Sequence, residues 1–102
     1  MKQYFIGFLL FSTFSLNAQN KNLDSLFQTL NNNKNDTTKI NVLIKITEYY
    51  VITSNLDSAM KYALHAEQNA KKVNYKRGQA QSYHYIGVIN DMMGNYEKAL
   101  NY

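Results

Sequence analysis

Ser58 and Lys61 have a spacing known from catalysis, since they spell S-x-x-K. In acyl-transfer enzymes that use this motif, the serine is the nucleophile. Those enzymes also carry S-D-N and K-T-G elements, and this sequence contains neither. The segment Ser58–Tyr62 also recurs in altered form at Lys98–Tyr102. A repeated helix start therefore accounts for the motif better than catalysis does, and we predict no catalytic residue.

The two histidines do not predict a metal centre. His65 and His84 fall on different predicted helices, and neither belongs to an H-E-x-x-H pattern. A zinc site requires three or four converging ligands. The chain has no cysteine, which removes thiolate ligands, disulfides and a thiol nucleophile. The sequence also lacks a P-loop, a dinucleotide-binding fingerprint and a Ser/His/Asp constellation. We therefore predict no metal, no cofactor and no enzymatic activity.

A basic cluster, KKVNYKR, covers residues 71–77. It lies at the predicted C-terminus of a helix, where cations interact favourably with the negative end of the helix dipole. We interpret it as a solvated helix end, with a specific acidic partner as the alternative. The formal net charge of the chain is only +4 at pH 7. This mild excess predicts no nucleic-acid binding by this segment.

Residues 1–18 have the layout of a secretory signal peptide. Met1 and Lys2 form a short positive region, the apolar run Tyr4–Phe14 follows, and Ala18 offers a small residue at a plausible cleavage point. The run is shorter than the roughly 20 apolar residues of a transmembrane span. An uncleaved anchor or a buried strand is the alternative. We expect an exported protein, periplasmic or secreted, that contacts a membrane only through this signal peptide or a missing downstream segment.

The remainder of the chain is predicted to be all helix. It has no proline, and glycine occurs only at positions 7, 78, 87 and 94. Apolar residues recur at three- and four-residue spacing. This spacing predicts a short helix over 22–30 and, after a polar linker to residue 36, longer helices over 38–53, 58–73 and 79–93. Gly94-Asn95 is predicted to turn the chain into a further helix over 96–102. Small residues at Ala59, Ala63, Ala66 and Ala70 predict close helix packing.

The pattern repeats at an offset of 40 residues. This offset superposes Ser58–Tyr62 on Lys98–Tyr102, Ile46 on Ile86 and Asn55 on Asn95. Self-similarity at such a period is typical of a helical solenoid.

Residues 80–102 resemble the tetratricopeptide repeat. That family places an aromatic at its fourth position, a Leu-Gly-like pair at seven and eight, a Gly-x-Tyr turn at fifteen to seventeen and a small residue at twenty. Counting from Ala80, these positions hold Tyr83, Ile86-Gly87, Gly94-Asn95-Tyr96 and Ala99. The unit over 40–79 is similar to the family at Tyr50 and Ala59, although it exceeds the family's usual length of about 34 residues. The resemblance implies that Gly87 and Ala99 allow close packing and that Tyr96 fills the space beneath the turn.

The resemblance further implies a fold of stacked helical hairpins, an α-solenoid that is incomplete at the C-terminus, with repeat 1 at about 40–79 and a partial repeat 2 at about 80–102. In this family the first helix of each pair lines a surface that binds a peptide or protein. Its ligand-facing positions correspond here to Asn41, Ile44, Glu48, Val51, Ile52, Gln81, His84, Val88, Asp91 and Met92. The polar members of this set, Asn41, Glu48, Gln81, His84 and Asp91, are the predicted partner-binding residues.

The chain stops inside a predicted helix, so we expect it to be part of a longer protein. Self-association through the uncapped C-terminal end is the alternative way of covering its apolar face. Two functions follow from the resemblance. One is an exported, non-catalytic scaffold that binds proteins or peptides. The alternative is the periplasmic sensory region of a membrane-bound bacterial signalling protein, a histidine kinase or a helix-turn-helix regulator.

Overall fold

The computed structural model describes the backbone of residues 22–101 and the side chains of residues 22–97. This part of the chain forms four helices: α1 (residues 22–32), α2 (Asp36–Ile52), α3 (Leu56–Lys72) and α4 (Lys76–Asn101). Helix α2 packs against α3, α3 packs against α4, and α2 also contacts α4. The described chain is all-α, as predicted. The predicted signal peptide, residues 1–18, lies outside the described residues.

Helix α2 begins two residues earlier than the sequence pattern predicted. The Asn35 side chain caps the helix, because its Oδ1 accepts a hydrogen bond of 3.2 Å from the backbone N–H of Thr38. Asparagine caps a helix as well as aspartate or serine does. Asp36 then lies in the first turn, where its negative charge is favourable near the positive end of the helix.

The turns that join α2 to α3 and α3 to α4 have the same backbone structure. Ser54 and Asn74 adopt left-handed conformations, with φ of 60° and 57°. In the first turn Asn55 N–H donates to the Tyr50 carbonyl at 2.8 Å, and in the second Tyr75 N–H donates to the Ala70 carbonyl at 2.8 Å. These bonds are the six-to-one bonds of Schellman motifs, which satisfy the last carbonyls of a helix. Equivalent residues of the two turns lie 20 positions apart, which is half of the 40-residue offset seen in the sequence.

The predicted alanine side of α3 is buried. Ala59, Ala63, Ala66 and Ala70 are each no more than 1% exposed. Their small side chains allow α2 and α4 to approach α3 closely, since interhelical distance depends on the side chains at the contact. The apolar residues from α2 and α4 that pack around these alanines include Ile40, Leu43, Ile44, Tyr85 and Ile89.

Aromatic side chains connect the first three helices. The Tyr62 ring of α3 stacks on the Tyr50 ring of α2, with centroids 5.7 Å apart and planes 11° apart. The Phe27 ring of α1 contacts the same Tyr62 ring at 5.8 Å. Burial raises the pKa of Tyr50, and the neighbouring Tyr62 and Tyr49 raise it further. Helix α1 is thus held to the α2/α3 pair by aromatic packing.

The predicted turn at Gly94-Asn95 is wrong for the described structure. Helix α4 runs without interruption from Lys76 to Asn101, and Gly94 does not adopt positive φ. A single glycine costs a helix only about 1 kcal/mol, which the neighbouring residues can offset. The turn would be stabilised by a following helix packed on α4, and no such helix lies within residues 22–101. The separate helix predicted over 96–102 is therefore, up to residue 101, the end of α4.

The closely packed glycine of α4 is Gly78 and not Gly87. The repeat resemblance implies close packing at Gly87, but a Cβ atom added there would meet nothing within 4 Å. At Gly78 an added Cβ would lie 2.6 Å from Cδ2 of Tyr75 and 2.8 Å from Cγ2 of Ile40. Close contact with α2 and α3 therefore occurs at Gly78, because α4 crosses them near its first turns.

Tyr96 and Tyr83, two further residues that carry the repeat resemblance, are exposed. Tyr96 is 66% exposed and does not fill a space beneath a turn, since α4 continues there. Tyr83 is 53% exposed, and its hydroxyl donates a hydrogen bond of 3.2 Å to Glu67 of α3. The backbone of Ala99 belongs to α4, and its side chain lies outside the described part of the chain.

Candidate functional site

A polar depression lies where α2 and α4 run side by side, with a volume of about 320 Å³. We refer to it as the α2/α4 groove. It is lined by Asn41, Ile44, Lys45 and Glu48 from α2 and by Arg77, Gln81 and Tyr85 from α4. On each helix the lining residues are mostly three or four positions apart, which places them on one face.

Three of the predicted partner-binding residues meet in this groove. Asn41 and Glu48 lie on its α2 side, and Gln81 lies on its α4 side. His84 and Asp91 are exposed and do not line the groove. The prediction therefore combined residues that the fold separates. His84 follows Gln81 by three positions, but its ring contacts the ring of Tyr85, with centroids 5.3 Å apart.

The apolar residues at the predicted ligand-facing positions lie in different parts of the structure. Ile44 is buried and also lines the groove, and Val51 packs on a core cluster. Ile52 lines a separate depression between α1 and α2. Met92 lines another, next to the turn between α2 and α3.

Three residues of the groove were not predicted from the repeat positions: Lys45, Arg77 and Tyr85. The signal that could have found two of them is helical spacing on α4, where Arg77, Gln81 and Tyr85 follow one another at four-residue intervals. The sequence pattern predicts a turn at Arg77, whereas the structure places this residue in the first turn of α4.

Two tyrosines lie beside the polar side chains that α2 contributes to the groove. The Tyr75 hydroxyl donates to Oδ1 of Asn41 at 3.0 Å. This bond holds the Asn41 side chain in a defined position. Burial raises the pKa of Tyr85, and the negative charge of the nearby Glu48 and its side-chain hydrogen-bonding interaction raise the pKa further.

The chemistry of the groove is that of hydrogen bonding and charge. It combines two cations, one carboxylate, two amides and the apolar side of Ile44. Within the described residues, no group of three or more His, Asp or Glu side chains could hold a metal ion. None of the described helices is long and apolar enough to cross a membrane.

No protein-family model matches this sequence, and comparisons with curated proteins and with solved structures also give no match. The function of the chain is therefore argued from its own residues and their geometry.

Proposed function

We propose that this chain is part of an exported, non-catalytic scaffold of the tetratricopeptide-repeat type, and that it binds a protein or peptide in the α2/α4 groove. The observation that carries the proposal is the meeting of Asn41, Glu48 and Gln81 in one groove. The repeat resemblance assigns ligand contact to these positions. Proposed export depends on the signal-like pattern of residues 1–18.

The regular geometry of the helices supports a repeat scaffold. Helices α2 and α3 have 17 residues each and end in the same type of turn. In an α-solenoid each helical pair packs only on its neighbours, and the first helices of successive pairs line one surface. Helices α2 and α4 correspond to such first helices, and they contact each other along the groove.

A substitution that fills the groove tests this proposal. We expect Gln81→Trp to place an indole ring between α2 and α4 and to exclude a peptide from the groove. Gln68→Trp is the matched control, since Gln68 is exposed on α3 and does not line the groove.

Peptides would first be selected against the full wild-type chain from a random display library, and their affinities measured by fluorescence anisotropy. We expect Gln81→Trp to weaken binding by at least about tenfold, equivalent to roughly 1.4 kcal/mol, and Gln68→Trp to leave it unchanged. Equal binding by both variants would show that ligands do not use the groove. Failure to select any peptide would contradict peptide binding by this chain.

A further inference from the structure

Four cations flank the turn between α3 and α4, and one of them, Arg77, also lines the α2/α4 groove. Lys71 and Lys72 end α3, and Lys76 and Arg77 begin α4 after a three-residue turn. All four side chains are exposed. We refer to these four residues as the basic rim. Arg77 belongs to both the rim and the groove, in which Lys45 is the other cation.

The helix dipole accounts for only half of the basic rim. Lys71 and Lys72 lie in the last turn of α3, where cations are favourable. Lys76 and Arg77 lie in the first turn of α4, which contains no acidic residue. Cations at that end of a helix are unfavourable, because the free N–H groups carry partial positive charge. The sequence-based interpretation of the cluster as complementing a dipole is therefore wrong for Lys76 and Arg77.

The cationic side chains of the groove can only donate hydrogen bonds. Lys45 and Arg77 both line the groove, and neither side chain carries an acceptor. The Oδ1 atom of Asn41 already accepts from the Tyr75 hydroxyl, which leaves its amide N–H₂ group as a donor. A ligand that pairs with these donors must supply acceptors, and carboxylates are among the strongest.

We infer that the groove binds an acidic peptide, whose Asp or Glu side chains pair with Lys45 and Arg77 and extend toward the basic rim. This inference depends on the proposed peptide-binding function and adds the chemical class of the ligand. Glu48 and the apolar side of Ile44 lie among the cations. The groove itself holds only two cations, whereas nucleic-acid binding depends on many Lys and Arg contacts to phosphates, so the groove favours a peptide.

The test uses the full chain and a labelled, C-terminally amidated peptide of alternating glutamate and alanine. The matched peptide has glutamine in place of every glutamate. We expect the glutamate peptide to bind more tightly and its affinity to fall as salt screens the charges. Equal affinity for the two peptides would overturn the inference. Tighter binding of an oligonucleotide or of anionic vesicles, lost in Arg77→Gln, would also overturn it.

Three variants separate charge recognition from damage to the fold. We expect Arg77→Gln to weaken binding of the glutamate peptide about tenfold, as for the loss of a charge-assisted hydrogen bond. Glu48→Gln removes a carboxylate that repels the glutamate side chains, and this variant should bind the glutamate peptide more tightly than wild type does. Lys61→Gln changes the net charge by the same amount as Arg77→Gln, but Lys61 lies on an exposed part of α3 outside the groove. Its affinity for the glutamate peptide should stay within about twofold of the wild-type value.

Weaker binding by both Arg77→Gln and Glu48→Gln would indicate a disturbed groove and contradict the inference. The result also distinguishes the inference from the proposed function. If display-selected peptides bind in the groove and the glutamate peptide does not, only the acidic class is wrong. If no peptide of either kind binds, both proposals fail.

Discussion

Replacing Gly78 by alanine should destabilise the helical array. An added Cβ atom would lie 2.6 Å from Cδ2 of Tyr75, 2.8 Å from Cγ2 of Ile40 and 3.1 Å from Cβ of Ala70. Carbon atoms in favourable contact are about 3.5–4.0 Å apart. The three neighbours cannot move easily. Ile40 and Ala70 are almost completely buried, and the Tyr75 ring is held by the hydrogen bond from its hydroxyl to Asn41.

The expected change in the free energy of unfolding of Gly78→Ala is the difference of two effects. Overpacking a well-filled site costs about 1–3 kcal/mol, whereas alanine is favoured over glycine in a helix by up to about 1 kcal/mol. We therefore expect Gly78→Ala to lower the free energy of unfolding by about 1–2 kcal/mol. Gly87→Ala is the matched control in the same helix. Because its Cβ atom would meet nothing within 4 Å, this variant should gain stability, by up to about 1 kcal/mol.

Urea denaturation followed by circular dichroism at the helix band measures both variants. A change of about 1 kcal/mol should also shift the melting temperature by roughly 4–8 °C in a domain of this size. The reasoning predicts opposite signs for the same substitution at two positions of α4. It would be refuted if Gly78→Ala were as stable as wild type, or if Gly87→Ala were destabilised. The second result would indicate that Gly87 is packed against another helix, as the repeat resemblance implies.

Two further predictions concern the turns and the half-buried Tyr50. Ser54→Gly should raise the free energy of unfolding by roughly 0.5–1 kcal/mol, because Ser54 has a φ of 60° and only glycine adopts that region without strain. Asn74→Gly should gain less, since asparagine tolerates the left-handed region. Because burial, Tyr62 and Tyr49 raise the pKa of Tyr50 above 10.0, the unfolded chain releases this proton first. The contribution of Tyr50 to stability is therefore fully present below about pH 10 and should be lost as pH rises through the pKa of Tyr50 in the folded protein.

Urea denaturation reports both effects. A larger gain at Asn74 than at Ser54 would contradict the proposed strain in the turns. For the tyrosine, the fall in stability between about pH 9 and about pH 11 should be smaller in Tyr50→Phe than in wild type. An equal fall in both proteins would show that Tyr50 does not contribute to the alkaline loss.

The positions of α2 and α3 could be predicted to within a few residues. Their apolar residues follow helical spacing, and the breaks at Ser54 and Asn74 have polar residues suited to turns. The alanine side of α3 was also evident, because a row of small residues at this spacing is typical of a close contact between helices. These features depend on local sequence, and local sequence is sufficient to determine them.

The end of α4 could not be predicted in the same way. Gly94 is 20 and 40 residues after Asn74 and Ser54, and its sequence position suggests the same turn. A glycine allows a turn without requiring one. Whether the chain turns depends on what packs against the following residues, and that is a property of the tertiary structure.

The groove was predicted in part. Asn41, Glu48 and Gln81 were identified by their repeat positions, but His84 and Asp91 were included with them although α4 places them outside the groove. Arg77 was missed because the sequence pattern predicts a turn there. Membership of the groove depends on how α2 and α4 pack, and the two helices approach closely at Gly78, where an added Cβ atom would lie 2.8 Å from Cγ2 of Ile40.

The helical character of the described residues, the approximate bounds of α1, α2 and α3 and the buried side of α3 all follow from local sequence. The physical reason is that helix formation and amphipathic burial act over three- and four-residue spacings. The choice of the packed glycine, the continuation of α4 through Gly94 and the set of charged residues around the groove depend instead on how the helices pack. Those features arise from contacts between residues distant in the sequence, and small differences in interatomic distance decide whether a side chain fits at such a contact.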